Sequence, residues 1–400
     1  MTGLLDGVRV LDLTNVIAGP LCSYNLALLG AEVVKVEMPG SGDLARKMGA
    51  APELGRAGMG VSFLAMNAGK RSMTLNLKSP AGCDVFLRLV DTADVVLENF
   101  RPGTMARLGL GAELLRQRNP RLIYCAVSGF GQTGPLAARA SYDQIVQGFC
   151  GLMSLTGSTE TAPLRAGYVV CDTAAALTAA FAVVAALFRR GRTGEGAELD
   201  VSMLDSALAS MAAWPVVNWL NTGTEPLPLG NESHTAAPSG TFATADAPLN
   251  IVSNEQSQFE RLCAAIAAPE LLDDPRFADR DSRLRHRAAL RTELERRLAG
   301  AGAAVWEERL AAAGVPVGPI LSVAEAVAHP QVIARGVIHE LDAPALGRRV
   351  RVPGAGFHID GAAAVPASPP PLLGAETEQI LRDLGCDAAE IAALAANGDI

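Results

Sequence analysis

The first 130 residues alternate apolar runs of strand length with helical segments, and this constrains the fold more than any other feature. Val8–Thr14 (VRVLDLT) reads as a buried strand, Pro20–Leu29 as a helix closed by Gly30, and Glu32–Glu37 (EVVKVE) as a second strand. Val95–Glu98 and Leu122–Ser128 continue the series. Apolar strands joined by helices specify a parallel sheet covered on both faces, with right-handed crossovers, hence the α/β class. The turn after the first strand, NVIAGP, has no G-x-G-x-x-G, so the pyrophosphate cradle of a nicotinamide enzyme is not supported. Glu37 ends the second strand, where an acidic residue can meet a ribose, although a solvated glutamate is equally ordinary there.

Composition narrows the class further. With 400 residues, 49% of them hydrophobic, the chain can bury a large core and is long enough for two or three domains. A net charge of −8 opposes nucleic acid binding overall but leaves room for a local basic pocket. Seven widely spaced cysteines without a C-x-x-C argue for reduced thiols in the cytoplasm, against a disulfide framework and against a zinc cluster. MTGLLDGVRVLDL lacks the pattern of a signal peptide. The most apolar stretch, Thr173–Phe188, has sixteen residues, short of the ~20 needed to cross a bilayer. It is expected to be a buried helix, with no membrane partner.

Further along, 226–254 is rich in Pro, Gly, Ser and Thr and reads as a boundary or loop region. Residues 255–315 have helical periodicity with many Arg/Glu pairs. Short strands return after 335 (GVIHELD, RRVRVPGAGFHI), followed by PASPPP and an amphipathic helix.

The five histidines all lie beyond residue 233, so a Ser-His-Asp triad cannot come from the sheet segment alone. No metal-ligand cluster and no P-loop motif occur. Asp172 stands between Gly167–Cys171 and the alanine-rich helix, in the position of a helix N-cap. Spacing alone favours a structural cap that satisfies an N–H and complements the helix dipole. The same placement suits a nucleophile: an ionised, poorly hydrated carboxylate able to attack an activated acyl group.

The opening LDGVRVLDLTNVIAGPLCSYNLALLGAEVVKVEMPGSGDLAR, together with NAGKRSMTLNLKSPAG (67–82), VVLENFRPGTMARLGL (95–110) and IYCAVSGFGQTGP (123–135), resembles the family III CoA-transferases. The resemblance continues through SYDQIVQGFCGLMSLTG (141–157), CDTAAAL (171–177), GRTGEGAELDVSMLDSAL (191–208) and GVPVGPILSVAEAVAHPQVIARG (314–336), covering nearly the whole chain in order. The related α-methylacyl-CoA racemases carry a histidine immediately before the aspartate at 143, where this chain has Tyr142. A phenol with an ordinary pKa of about 10 is a poor replacement base, which favours transfer over epimerisation.

The resemblance implies that Asp172 is the catalytic residue, passing through an aspartyl-CoA thioester. CoA or acyl-CoA enters as substrate, with no permanently bound cofactor and no metal. It implies CoA contacts at Val16, Ile17 and Ala18; at Leu75, Asn76 and Lys78; at Asn99, Phe100, Arg101 and Arg107; and at Tyr142 and Asp143. Arg107, with Arg46 or Lys70, would meet the phosphates, Lys47 could offer only a point charge, and Phe100 would stack on adenine. Ile17 replaces a glutamine of the formyl-CoA transferases, Met38 replaces an arginine, and their glycine run is absent, HTAAPSGTF (234–242) standing in its rough place. Formate and oxalate are therefore disfavoured, and a small dicarboxylate such as succinate, mesaconate or itaconate is expected. Pro238, Ser239 and Gly240 are candidates for the acyl pocket, and His234 for a second carboxylate. The alternatives are a racemase with a substitute base and a CoA-binding protein without turnover.

The family fold implies a Rossmann-like large domain built from both chain ends, a smaller α+β domain and an interlocked homodimer. Composition breaks near 226 and 330 agree with a large domain over 1–200, a linker at 201–226, a small domain at 227–330 and a return to the large domain over 331–400.

Overall fold

The computed structural model describes residues 3–400. The chain forms two compact units: one holds the chain through Cys150, Ala166–Thr224 and Pro330–Ile400, the other Gly151–Arg165 and Glu225–His329.

The first unit is built on six parallel strands: β1 (Arg9–Asp12), β2 (Glu32–Glu37), β3 (Lys70–Thr74), β4 (Val95–Glu98), β5 (Ile123–Ser128) and β6 (Ala197–Ser202). Their order is β3-β2-β1-β4-β5-β6, that of doubly wound nucleotide-binding sheets, with the direction of winding reversing between β1 and β4. Leu11, Val34, Val96 and Tyr124 pack one face against Val85, Phe86 and Leu89 of the Pro80–Asp91 helix. The C-terminal helices Thr377–Asp383 and Ala388–Ala396 close the same core with Ile380, Leu381, Ile391 and Leu394. β3 and β6 escape a search for apolar runs because Lys70, Ser72 and Ser202 are buried polar residues.

The helices Ala18–Leu28 and Val170–Thr193 pack against each other, the longer one also lying against β5 and β6. The long helix corrects three expectations. It begins at Val170 with Val169 as N-cap, so Asp172 lies in its first turn and is not the cap. It runs for 24 residues, long and apolar enough to cross a membrane by length and composition alone, so shortness is no argument against a span. It is also buried along one face only: Ala175, Ala176, Ala179 and Val183 are covered, whereas Leu177, Phe181 and Phe188 are exposed. Gly194 ends it in the left-handed conformation that favours glycine, its N–H on the Arg190 carbonyl.

The segment expected as a linker at 201–226 is largely helical. Ser202 caps the Met203–Ser210 helix by accepting from the Asp205 N–H, and the Val217–Thr222 helix follows. The Pro- and Gly-rich stretch before residue 254 likewise contains strands β7 (Ser239–Phe242) and β8 (Leu249–Val252) of the second unit, with β8 pairing antiparallel to β9 (Val317–Pro319). Phe259, Leu262, Leu294 and Trp306 from the adjoining helices fill the core of that unit.

Candidate active site

A cavity of about 270 Å³ opens at the carboxyl ends of the strands, beside the β1–β4 switch point where open α/β sheets bind ligands. Asn15–Ala18 follows β1, Asn99–Pro102 follows β4, Val127–Gly129 ends β5 and Met203 follows β6; the Arg139–Tyr142 segment and Asp172 complete the wall. At Gly129 a Cβ would lie 1.7 Å from the Ser141 hydroxyl, so only glycine lets these two walls approach.

The loop after β1 is held in a conformation it would not otherwise adopt. Val16 has φ +70, rare for a β-branched residue, and its N–H donates to Asp43 Oδ1 at 2.9 Å. The Asn15 N–H donates to Asn99 Oδ1, and Asn99 Nδ2 donates back to the Asn15 carbonyl, both at 2.8 Å. The side-chain amide of Asn99 therefore shapes the loop.

Beneath this loop lie fully buried ion pairs. Lys35 meets Asp43 at 3.0 Å, Lys70 meets Asp12 at 3.0 Å and Arg46 meets Glu37 at 2.6 Å. Burial opposes the charge on Asp12, but Lys35, Lys70 and hydroxyls from Ser23 and Thr14 outweigh it and hold the carboxyl below its usual range. Burial also brings the Lys70 ammonium down to about 8 despite Asp12. Two sequence expectations are corrected here. Arg46 and Lys70 are committed to internal carboxylates and are sealed from any phosphate, and Glu37 is spent on Arg46 and Ser72 rather than facing a ribose.

The carboxylates of the cavity side have no such partners. Asp143, at the start of the Asp143–Phe149 helix, is buried, and its Oδ1 accepts from the Cys171 N–H at 2.8 Å and the Asp172 N–H at 3.4 Å. Its Oδ2 accepts from Gln147 Nε2 at 2.5 Å. Asp172 is half-buried, and desolvation, reinforced by the Asp143 charge, pushes its carboxyl up to about 7. The expectation of a simply ionised Asp172 is thus corrected: near neutrality it is poised between its acid and its carboxylate.

Of the residues singled out from sequence, Val16, Ile17, Ala18, Asn99, Phe100, Arg101, Tyr142 and Asp172 line this cavity. Asp143 stands behind Asp172. Leu75 is a core residue, Asn76 binds the Asp399 carbonyl through its N–H, and Lys78 is exposed; none of the three lines the cavity. Arg107 is exposed outside the wall and donates to Thr104 Oγ1 at 2.8 Å. His234 and Pro238–Gly240 belong to the second unit. Sequence reasoning missed Asn15, Ser128, Gly129, Arg139 and Met203 as wall residues. Ser128 and Gly129 were within reach, since they end a predicted strand of a parallel sheet. Arg139 carries no local signal; its guanidinium is exposed and lies 4.9 Å from the Phe149 ring centroid.

A doubly wound sheet with a cavity at its switch point that holds one carboxylate, Asp172, and two arginines, Arg101 and Arg139, defines a ligand site of the nucleotide-binding α/β class. The model of CoA-transferase family III matches residues 5–377. An acetyl-CoA:oxalate CoA-transferase of Acetobacter aceti is 43% identical over 84% of this chain and 85% of its own length. The mouse succinyl-CoA:glutarate CoA-transferase is 37% identical over 95% of this chain and 86% of its own length. Among solved structures, a CaiB/BaiF family protein of Brucella suis superposes with a TM-score of 0.83 at 35% identity, covering 96% of this chain and 100% of its own. The chain belongs to the family III CoA-transferases and is an enzyme of that family.

Proposed function

We propose that the enzyme moves CoA between an acyl-CoA and a small free dicarboxylate, with Asp172 as the covalent carrier. The observation that carries this reading is the Asp172 carboxyl, half-buried in the wall of the switch-point cavity and raised to about 7. Asp172 attacks the thioester carbonyl and CoA thiolate leaves with the C–S electron pair, giving a mixed anhydride. The thiolate then attacks Cγ of Asp172 and releases the donor acid, leaving an aspartyl-CoA thioester. An acceptor carboxylate attacks the same carbon and expels the thiolate, which attacks the acyl carbonyl of the new anhydride and frees Asp172. One thioester replaces another, so the exchange is nearly thermoneutral.

The tetrahedral oxyanions need donors in place beforehand. The helix Ala18–Leu28 has no side-chain cap, its first N–H groups have no acceptor within the helix, and Ala18 lies in the cavity wall. Arg101 and Arg139 give the wall positive charge suited to anionic substrates. Relatives named for glutarate, mesaconate and D-citramalate favour a dicarboxylate acceptor. The relative named for oxalate returns that acid to the substrates worth testing. No histidine is among the described residues of the wall, which favours transfer over proton exchange at a substrate α-carbon.

We also infer a cytoplasmic homodimer, on the exposed apolar face of the long helix (Leu177, Phe181, Phe188) and on seven cysteines that form no disulfide among the described residues. Exchange of labelled succinate into succinyl-CoA tests the reaction. Wild type exchanges label, Asp172→Ala does not while remaining folded, and retained exchange removes Asp172 from the mechanism.

A further inference from the structure

The long helix that carries Asp172 begins without a cap of its own. Val169 stands at the N-cap with no side-chain bond, and the first-turn N–H groups of Cys171 and Asp172 turn instead to a residue 28 or 29 positions earlier in the chain, Asp143. That carboxylate is 5% exposed, and among the described residues it forms no ion pair. Its one side-chain partner, Gln147, is wholly buried and fixed at its other end, Oε1 accepting from the Ala166 N–H at 2.8 Å. The side chain supporting Asp143 is therefore neutral and held at both ends, and the Asp143 carboxylate is directed at the turn that presents Asp172.

We propose that Asp143 is a positioning residue of the transfer reaction: it caps the catalytic helix from outside and sets a second negative charge behind Asp172 that is relieved when Asp172 becomes acylated. The inference rests on the reading of Asp172 as covalent carrier. A neutral cap would have satisfied the same two N–H groups, as asparagine or serine does at ordinary helix ends. A carboxylate adds like-charge repulsion, which raises the proton affinity and hence the basicity of the Asp172 oxygen. Conversion of Asp172 to an anhydride or thioester removes one of the two charges, so the pair favours the covalent intermediate over the free dicarboxylate state.

The other groups near Asp172 are neutral or exposed. Cys171 on its own helix has a thiol pushed far up by Cys150 and by burial, Tyr142 flanks Asp143, and Arg101 and Arg139 lie on the solvent-exposed side of the wall. Among the described residues, Asp143 is the one charged neighbour that contributes to the raised Asp172 carboxyl.

The test uses the full-length enzyme with acyl-CoA and acceptor acid, reading the pH dependence of kcat/KM, which reports the free enzyme, and, by peptide-resolved mass spectrometry, the fraction of Asp172 held as CoA thioester. In wild type the rate rises with pH through about 7 as Asp172 ionises. In Asp143→Asn the rise is displaced to lower pH, so the variant keeps a larger share of its plateau rate in mild acid, while thioester occupancy at equal substrate falls. Asp143→Ser, which still offers an oxygen to the helix N–H groups, repeats the test should the asparagine variant fail to fold. If folded variants keep the wild-type acid limb and the wild-type occupancy, Asp143 is a cap alone and the inference is overturned. If wild type itself carries no thioester at Asp172, it is the transfer reading that fails.

Discussion

Two sets of carboxylates lie at the carboxyl ends of one sheet, and their surroundings are opposite. Asp12, Glu37 and Asp43 each face a buried cation, Lys70, Arg46 and Lys35 respectively, in pairs sealed from water. Asp143 and Asp172 face backbone N–H groups, a neutral amide and each other. The first set fixes geometry: through Asp43 it holds Val16 at its positive φ and so shapes the loop that walls the cavity. The second leaves charge uncompensated at a place substrate can reach. Compensated carboxylates build the frame, and the uncompensated pair marks where chemistry is carried out.

The contrast can be broken by exchanging what each set has. Asp172→Ala should lower CoA exchange on the order of 10⁴-fold or more, the scale on which loss of a covalent nucleophile is felt, with no loss of stability. Lys70→Met does the reverse: it leaves Asp12 buried without one of its cations and should cost roughly 3–5 kcal/mol in chemical denaturation. An unfolding cost near zero would show that water reaches this layer and that the two sets are not different in kind.

A smaller effect concerns pH. The folded-state value of Asp172 is raised from the ordinary 3.8 to about 7, so its favourable contribution is fully present below the lower value and is lost as pH rises through the upper one. Asp172→Asn removes that loss and should stabilise the protein on the order of 2 kcal/mol at about pH 8, with no gain at about pH 3, in thermal unfolding at the two conditions. Glu98, buried beside Tyr124 and also raised to about 7, should show the same sign in Glu98→Gln, reduced by the Phe100 N–H and Tyr124 bonds it gives up. Equal stability of either variant at both pH values would contradict the raised carboxyls.

Much of the frame was legible. The strands at Glu32–Glu37 and Val95–Glu98 are bounded as the sequence reads them, because apolar runs closed by charged or turn residues leave little freedom. β3 was not legible, since its register places Lys70 and Ser72 in the buried ion layer and destroys the apolar pattern. Val16–Ala18, Asn99–Arg101 and Asp172 could be carried onto the cavity from the family's motifs. Motifs do not say which side chain faces substrate and which faces the protein. Asn99 turns to Asn15, Arg46 to Glu37 and Lys70 to Asp12, and each choice is made by residues distant in sequence. The cap on the Asp172 helix escapes the sequence for the same reason: local spacing offers Asp172 itself, whereas the carboxylate that accepts from the helix N–H groups, Asp143, comes from another helix.

The most direct test of the central claim is intact-protein mass analysis of the enzyme quenched during turnover with an acyl-CoA, followed by peptide mapping. The account predicts a CoA thioester on Asp172 in wild type, discharged by added acceptor acid and absent from Asp172→Ala. An enzyme exchanging CoA at full rate with Asp172 unmodified would contradict it.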